Sequence, residues 1–219
     1  MKKSFIIGIS AIIMFVLWTA AISLIDVQAI GPNGSSVGFA AFNRAIHELT
    51  GVNMGLYILT DWLGLIPVCF AFGFAVLGLV QLIKRRSFFK VDADILLLGV
   101  FYIVVIAAYL FFECYAVNYR PVLIDGFLEA SYPSSTTLLV LCVMPTAVIQ
   151  LNKRIKRRTF RTVSAVIINL FTVFMVMGRF ISGVHWATDI IGGIILSAGL
   201  VIIYYGLFSV CNKKIKPQV

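Results

Sequence analysis

Six stretches of this sequence, roughly 5–28, 56–83, 93–114, 135–151, 160–178 and 186–210, stay apolar for long enough to cross a bilayer, and each is closed off by turn residues or charges. In lipid, backbone polar groups must pair within the protein, so helices or a closed barrel are the only spanning solutions. The runs are continuous rather than alternating in polarity, which removes the barrel. Composition agrees, with 61% hydrophobic and 12% charged residues over 219 positions and a mean hydropathy of +1.02, far from any ordinary soluble domain. The sequence predicts an all-α, polytopic membrane protein built as a single six-helix domain over 1–219. Lys2 and Lys3 precede an apolar run that is too long for a signal peptide and has no convincing cleavage site, so it is read as a retained first helix.

A net charge of +9 suggests nucleic acid until the basic residues are placed. They gather at helix ends, at Lys2/Lys3, at Lys84–Lys90, at Lys153–Arg161 and at Lys213/Lys214/Lys216. With six crossings these groups share one side, leaving only Arg44, Arg120 and Arg179 of the 18 basic residues on the other. The positive-inside rule then puts both termini in the cytoplasm, and nucleic acid is not an expected partner. Cys69, Cys114, Cys142 and Cys211 lack metal-ligand spacing and are read as packing residues, with no disulfide framework. The outer segment 29–54 opens with turn residues and continues with amphipathic helical spacing, which predicts a collar at the interface. In this reading Arg44 meets lipid headgroups, His47 is structural, and Trp186 anchors at the interface.

Three outward places concentrate polar groups: Glu113 to Pro121, Tyr132 to Thr137, and Gly178 to Asp189. Arg120 and Arg179 suit an anionic ligand, above all phosphate. Pro133-Ser134-Ser135-Thr136-Thr137 opens the fourth span, where first-turn amides and the helix dipole favour an anion. His185 and Asp189 are spaced i, i+4 at the start of the sixth span, so the carboxylate is expected to accept the imidazole N–H directly. The other ring nitrogen is then left as nucleophile or base. Arginines around an in-line nucleophile are what phosphoryl transfer requires, with no metal or other cofactor implied.

With these residues the chain resembles the type 2 phosphatidic acid phosphatase family of membrane lipid phosphatases, over nearly its whole length. The family's signatures, K-x6-RP, PSGH and SR-x5-H-x3-D, read here as Glu113-x6-Arg120-Pro121, Pro133-Ser134-Ser135-Thr136 and Gly178-Arg179-x5-His185-x3-Asp189. The resemblance implies that His185 attacks phosphorus to give a phosphohistidine, that Asp189 orients it, and that Arg120, Arg179 and Ser134 bind phosphate oxygens, with Ser135 and Thr136 beside them. Three positions depart from the pattern. Glu113 replaces a lysine, Gly178 a serine, and Thr136 the histidine that in the family protonates the leaving group.

General acid catalysis typically contributes about 10²–10⁴-fold, so its loss bears most on a lipid alkoxide. A phosphate leaving group, whose second pKa is about 6, departs as a stable anion. The expected activity is hydrolysis of a phosphate or diphosphate ester of a glycerolipid or isoprenoid, undecaprenyl diphosphate being one example, at the extracytoplasmic face of a bacterial cell membrane. Glu113, protonated near the membrane boundary, is the candidate replacement acid, with Asp125 and Glu129 as other carboxyls. The alternatives are a lipid phosphotransferase and a family member that binds or moves a phospholipid without cleaving it.

Overall fold

The structure, a computed structural model, describes residues 2–213. Its helices are α1 (Lys2–Leu24), α2 (Ala40–Thr50), α3 (Met54–Leu63), α4 (Leu65–Arg85), α5 (Ala93–Cys114), α6 (Ser135–Arg154), α7 (Arg158–Ile181) and α8 (Ala187–Lys213). Six spans result, α3 and α4 together making the second. Among the described residues there is no strand. Of the basic residues assigned to one side, Lys214 and Lys216 lie outside the described residues.

The most buried span is α6, with 56% of its apolar window enclosed against 11–28% for the others, so it is the post around which the bundle is arranged. It packs on α4, α5, α7 and α8. Lipid-facing helices need no amphipathic stripe, and α1 and α8 are apolar all round. They meet instead through small residues, which let backbones approach closely. A Cβ on Gly199 would lie 2.7 Å from Ile12 Cδ1 and 3.2 Å from the Gly8 carbonyl oxygen. Gly199→Leu is therefore expected to overpack this crossing and destabilise the fold by about 1–3 kcal/mol, read as a lower heat-unfolding midpoint in detergent.

The second apolar run is not one straight helix. Pro67 has no N–H for the Leu63 carbonyl and its ring crowds that turn, so the chain breaks at Gly64. Freed from the line of α4, α3 leans on α7, while α4 packs against α5 and α6. Gly178 permits that lean, since a Cβ there would meet Thr60 Cγ2 at 2.7 Å. One departure from the family signatures thus has a packing reason: the absent side chain makes room for α3.

The two ends of the bundle differ in chemistry. At one end Asp94, 1% exposed, meets Lys153 Nζ and Arg154 Nη2 at 3.0 Å each, and Gln150 links the Asp94 carbonyl to the Tyr204 hydroxyl. This ties α5, α6 and α8 together, the two cations offsetting a carboxylate that would otherwise be buried unpaired. At the other end the 29–54 segment folds back. Asn43, fully buried on α2, donates to the Gly38 carbonyl at 2.8 Å and to Thr188 Oγ1 at 3.0 Å, and accepts from the Thr188 amide at 3.2 Å. The amphipathic part of this segment forms α2, docked on the start of α8.

Candidate active site

The loop between α5 and α6 carries several of the site's groups. Asp125 and Gly126 both have positive φ, of 49° and 83°, and stand between Ile124 and Phe127, whose backbones pair in both directions. A two-residue Asp-Gly turn of this kind closes a tight hairpin. Its register sets the Arg120 amide on the Glu129 carbonyl at 3.0 Å and the Ser131 amide on the Asn118 carbonyl at 2.9 Å. Asn118, Arg120 and Ser131 thereby stand beside the turn that leads from α7 into α8.

His185 lies in that turn, two residues before α8 begins, and is 5% exposed. Its Nε2 is 3.2 Å from Arg120 Nη1, and its Nδ1 is 3.0 Å from Ser131 Oγ and 3.2 Å from the Ser131 carbonyl oxygen. A guanidinium can only donate, so Nε2 accepts and Nδ1 carries the hydrogen. Ser131 in turn donates to Asp189 Oδ2 at 2.6 Å. The Asp189 carboxylate also accepts from Asn118 Nδ2 at 3.1 Å and from the Trp186 amide at 3.0 Å. The direct pairing expected from i, i+4 spacing is thus corrected. That rule needs both residues on the helix, whereas His185 precedes it, and the Ser131 hydroxyl stands between imidazole and carboxylate.

Burial, and then the positive charges of Arg120 and Arg179, hold the His185 imidazole well below its ordinary value of about 6.5. The ring is therefore neutral at physiological pH, with its Nε2 lone pair held by Arg120. Trp186, expected at the interface, is instead 3% exposed, donates from its indole to the Tyr119 carbonyl at 2.7 Å and packs on His47. Its apolar bulk holds the turn that carries His185 against the hairpin.

Arg179, on the last turn of α7, is 2% exposed. Its Nη2 donates to Asp61 Oδ1 at 2.9 Å and to Thr136 Oγ1, while its Nε has no hydrogen-bond partner among the described residues. The Tyr57 ring receives both guanidinium groups, with Arg179 Cζ 4.7 Å and Arg120 Cζ 5.6 Å from its centroid. A shared π face steadies two like charges that would otherwise repel. Arg120 Nε lies 3.0 Å from Glu129 Oε2, close enough for ion pairing but not aligned as a hydrogen bond.

One cavity opens on Arg120 and a second on Asp61 and Thr136, the two side chains that Arg179 binds. The first, about 570 Å³, is walled by Glu113, Arg120, Glu129, Ser131 and His185 among others. The second, about 310 Å³, runs between apolar residues such as Leu65, Ile106 and Leu139 and also takes in Asp61 and Thr136. Tyr109, Ser135 and Leu138 belong to both, so the cavities meet at the first turn of α6. Both volumes fall within the usual range of small-ligand sites, about 300–1,000 Å³.

The structure brings together His185, Asp189, Arg120, Arg179, Ser135 and Thr136. Ser134 lines neither cavity: it is fully buried, and its hydroxyl accepts from Thr137 Oγ1 at 3.0 Å. As the residue before α6 it makes no side-chain cap, which leaves the first-turn amides to Ser135 and Thr136. Glu113 stands on the first cavity's wall, exposed at the end of α5. Sequence reasoning missed Tyr57, Asp61, Asn118 and Ser131. Asp61 alone carried a usable signal, being the sole acidic residue of the second span.

Residues 114–213 match the family model described as the PAP2 superfamily. The crystal structure of a transmembrane PAP2-type phosphatidylglycerolphosphate phosphatase from Bacillus subtilis shares the fold, with a TM-score of 0.59 at 19% identity over 97% of this chain and 98% of that one. Comparison with curated proteins returns no match. The family match lies over the part that carries His185, Asp189, Arg120 and Arg179, and the fold is shared along the whole chain, so this protein is similar to the PAP2 superfamily in both respects.

Proposed function

We propose that the protein is a membrane lipid phosphatase that hydrolyses a phosphate or diphosphate ester of an isoprenoid or glycerolipid through a phosphohistidine at His185. The observation that carries this reading is the hydrogen-bonded line from Asp189 through Ser131 to His185 Nδ1, which leaves Nε2 facing Arg120. Nε2 has the lone pair needed to attack phosphorus, and the positive charge that the ring gains on attack is met through Ser131 by Asp189. A phosphate at the α6 first turn would draw Arg120 off Nε2 and compete with Asp61 and Thr136 for Arg179 Nη2. The apolar second cavity suits a lipid chain. Basic residues gathered at the opposite end of the bundle favour the extracytoplasmic side for the site.

The low proton affinity of His185 has a direct consequence. Phosphorylation of the enzyme requires neutral imidazole, so its rate is expected to stay flat as pH falls through about 6.5 and to drop only at more acidic values. Single-turnover kinetics across pH check this, and an acid limb centred at or above the ordinary histidine value would contradict it. The function itself is tested by phosphate release from a polyprenyl diphosphate and from phosphatidic acid in detergent, with a chelator present and the lipid products identified. Release as inorganic phosphate supports the hydrolase. Transfer to a second lipid or sugar acceptor points to a phosphotransferase, and binding without turnover to a lipid-binding protein.

A further inference from the structure

An ester that leaves as a lipid alkoxide needs a proton, and His185 has none to give while it serves as nucleophile. The donor must stand on the side of phosphorus away from Nε2, where the departing oxygen and its chain emerge. Glu113 and Glu129 both line the first cavity with His185, the nucleophile's own side. Asp61 lines the second, which is the apolar one, and the two cavities meet at the α6 first turn where the phosphate would sit. We propose that Asp61 is the general acid of the lipid-monophosphate reaction, a role that rests on the phosphohistidine reading above.

Two features of α3 support the assignment. Asp61 Oδ1 and Thr136 Oγ1 are bound by the same guanidinium nitrogen of Arg179, so the carboxyl reaches the position at which the family signature places a histidine. It reaches it because α3 leans on α7 at Gly178, and because the Pro67 break separates α3 from α4. The departures at 136 and 178 therefore belong together: one removes a ring, and the other admits the helix that brings a carboxyl in its place. The Asp61 side chain is 59% exposed and lines the second cavity, so it is open to a proton carried in by a lipid phosphate monoanion once that phosphate takes over Arg179.

The steps balance. Nε2 forms the N–P bond as the ester P–O bond breaks, and the departing oxygen takes the Asp61 proton to leave as an alcohol. Water then attacks phosphorus and returns a proton to the Asp61 carboxylate. The N–P bond breaks, its electron pair returns to Nε2, and inorganic phosphate departs. Asp61 ends as it began.

The test uses leaving groups. Wild-type protein, Asp61→Asn and Asp61→Glu are compared on dodecyl phosphate, whose alkoxide needs the proton, and on p-nitrophenyl phosphate, whose phenolate does not. Asp61→Asn is expected to lower the rate of enzyme phosphorylation by about 10²–10⁴-fold with dodecyl phosphate and by less than about 10-fold with the nitrophenyl ester, with Asp61→Glu restoring part of the first loss. Equal losses on both esters, or none, would overturn the assignment, since an ion pair that only steadies Arg179 would affect both alike. His185→Ala run alongside keeps the two ideas separate. If that variant stays active the phosphohistidine reading fails, whereas an inactive His185→Ala with no leaving-group dependence in Asp61→Asn sinks only the role of Asp61.

Discussion

Replacing His185 with alanine is expected to abolish phosphate release, lowering kcat by about 10⁴-fold or more while lipid binding persists, because a nucleophile's removal takes the covalent route with it. The protein should still fold. Asn118, Ser131 and the Trp186 amide keep their bonds to Asp189 in the variant, and the turn stays fastened through the Trp186 indole. A folded, lipid-binding but inactive His185→Ala protein is the outcome that separates a catalytic role from a packing one. Detergent gel filtration and a lipid-binding assay report the fold beside the kinetics.

Arg120→Ala is expected to lower kcat by about 10²–10³-fold, the usual loss when one donor to a developing phosphoryl charge is removed. It should also move the pH profile. Arg120 stands 3.2 Å from Nε2, and its charge helps hold the imidazole below the ordinary histidine range. Without it, protonation of His185 becomes easier and the acid limb shifts to higher pH. A merely structural arginine would not move that limb. Arg120→Lys should recover little of the rate, because an ammonium does not reproduce the fork that faces Nε2 and Glu129 at once.

Much of the fold was legible because lipid imposes a coarse rule: long apolar runs are spans, and charges mark their ends. The break at Gly64 was harder to read. Pro67 stood in view, but the consequence of the kink depends on whether a neighbour receives the freed helix, and that neighbour, α7, is more than a hundred residues away. The site divides in the same way. Arg120, Arg179, His185 and Asp189 were legible because they sit in local motifs of fixed spacing. Ser131 was not, since nothing in the sequence says that a serine two residues before Pro133 will be carried by a hairpin into the gap between His185 and Asp189. Tyr57 was invisible as one aromatic among many in an apolar run.

The corrected residues share one physical reason. Spacing rules assume regular helix, and the residues they misplaced lie at helix ends: His185 and Trp186 in the turn before α8, Ser134 at the threshold of α6. At such ends the backbone leaves the helical path, and tertiary partners decide where each side chain points. Trp186 turned inward because Tyr119 offered a carbonyl and His47 a face to pack on.

In the proposed mechanism His185 Nε2 receives the phosphoryl group. The most direct measurement is to mix the detergent-purified protein with a lipid monophosphate labelled in its phosphate, quench in base within the first turnover, and map the labelled peptide. A base-stable, acid-labile label is expected on the peptide containing His185, absent from His185→Ala and discharged to inorganic phosphate when turnover is allowed to proceed. Full turnover with no labelled protein at any quench time, or a label on another residue, would contradict it.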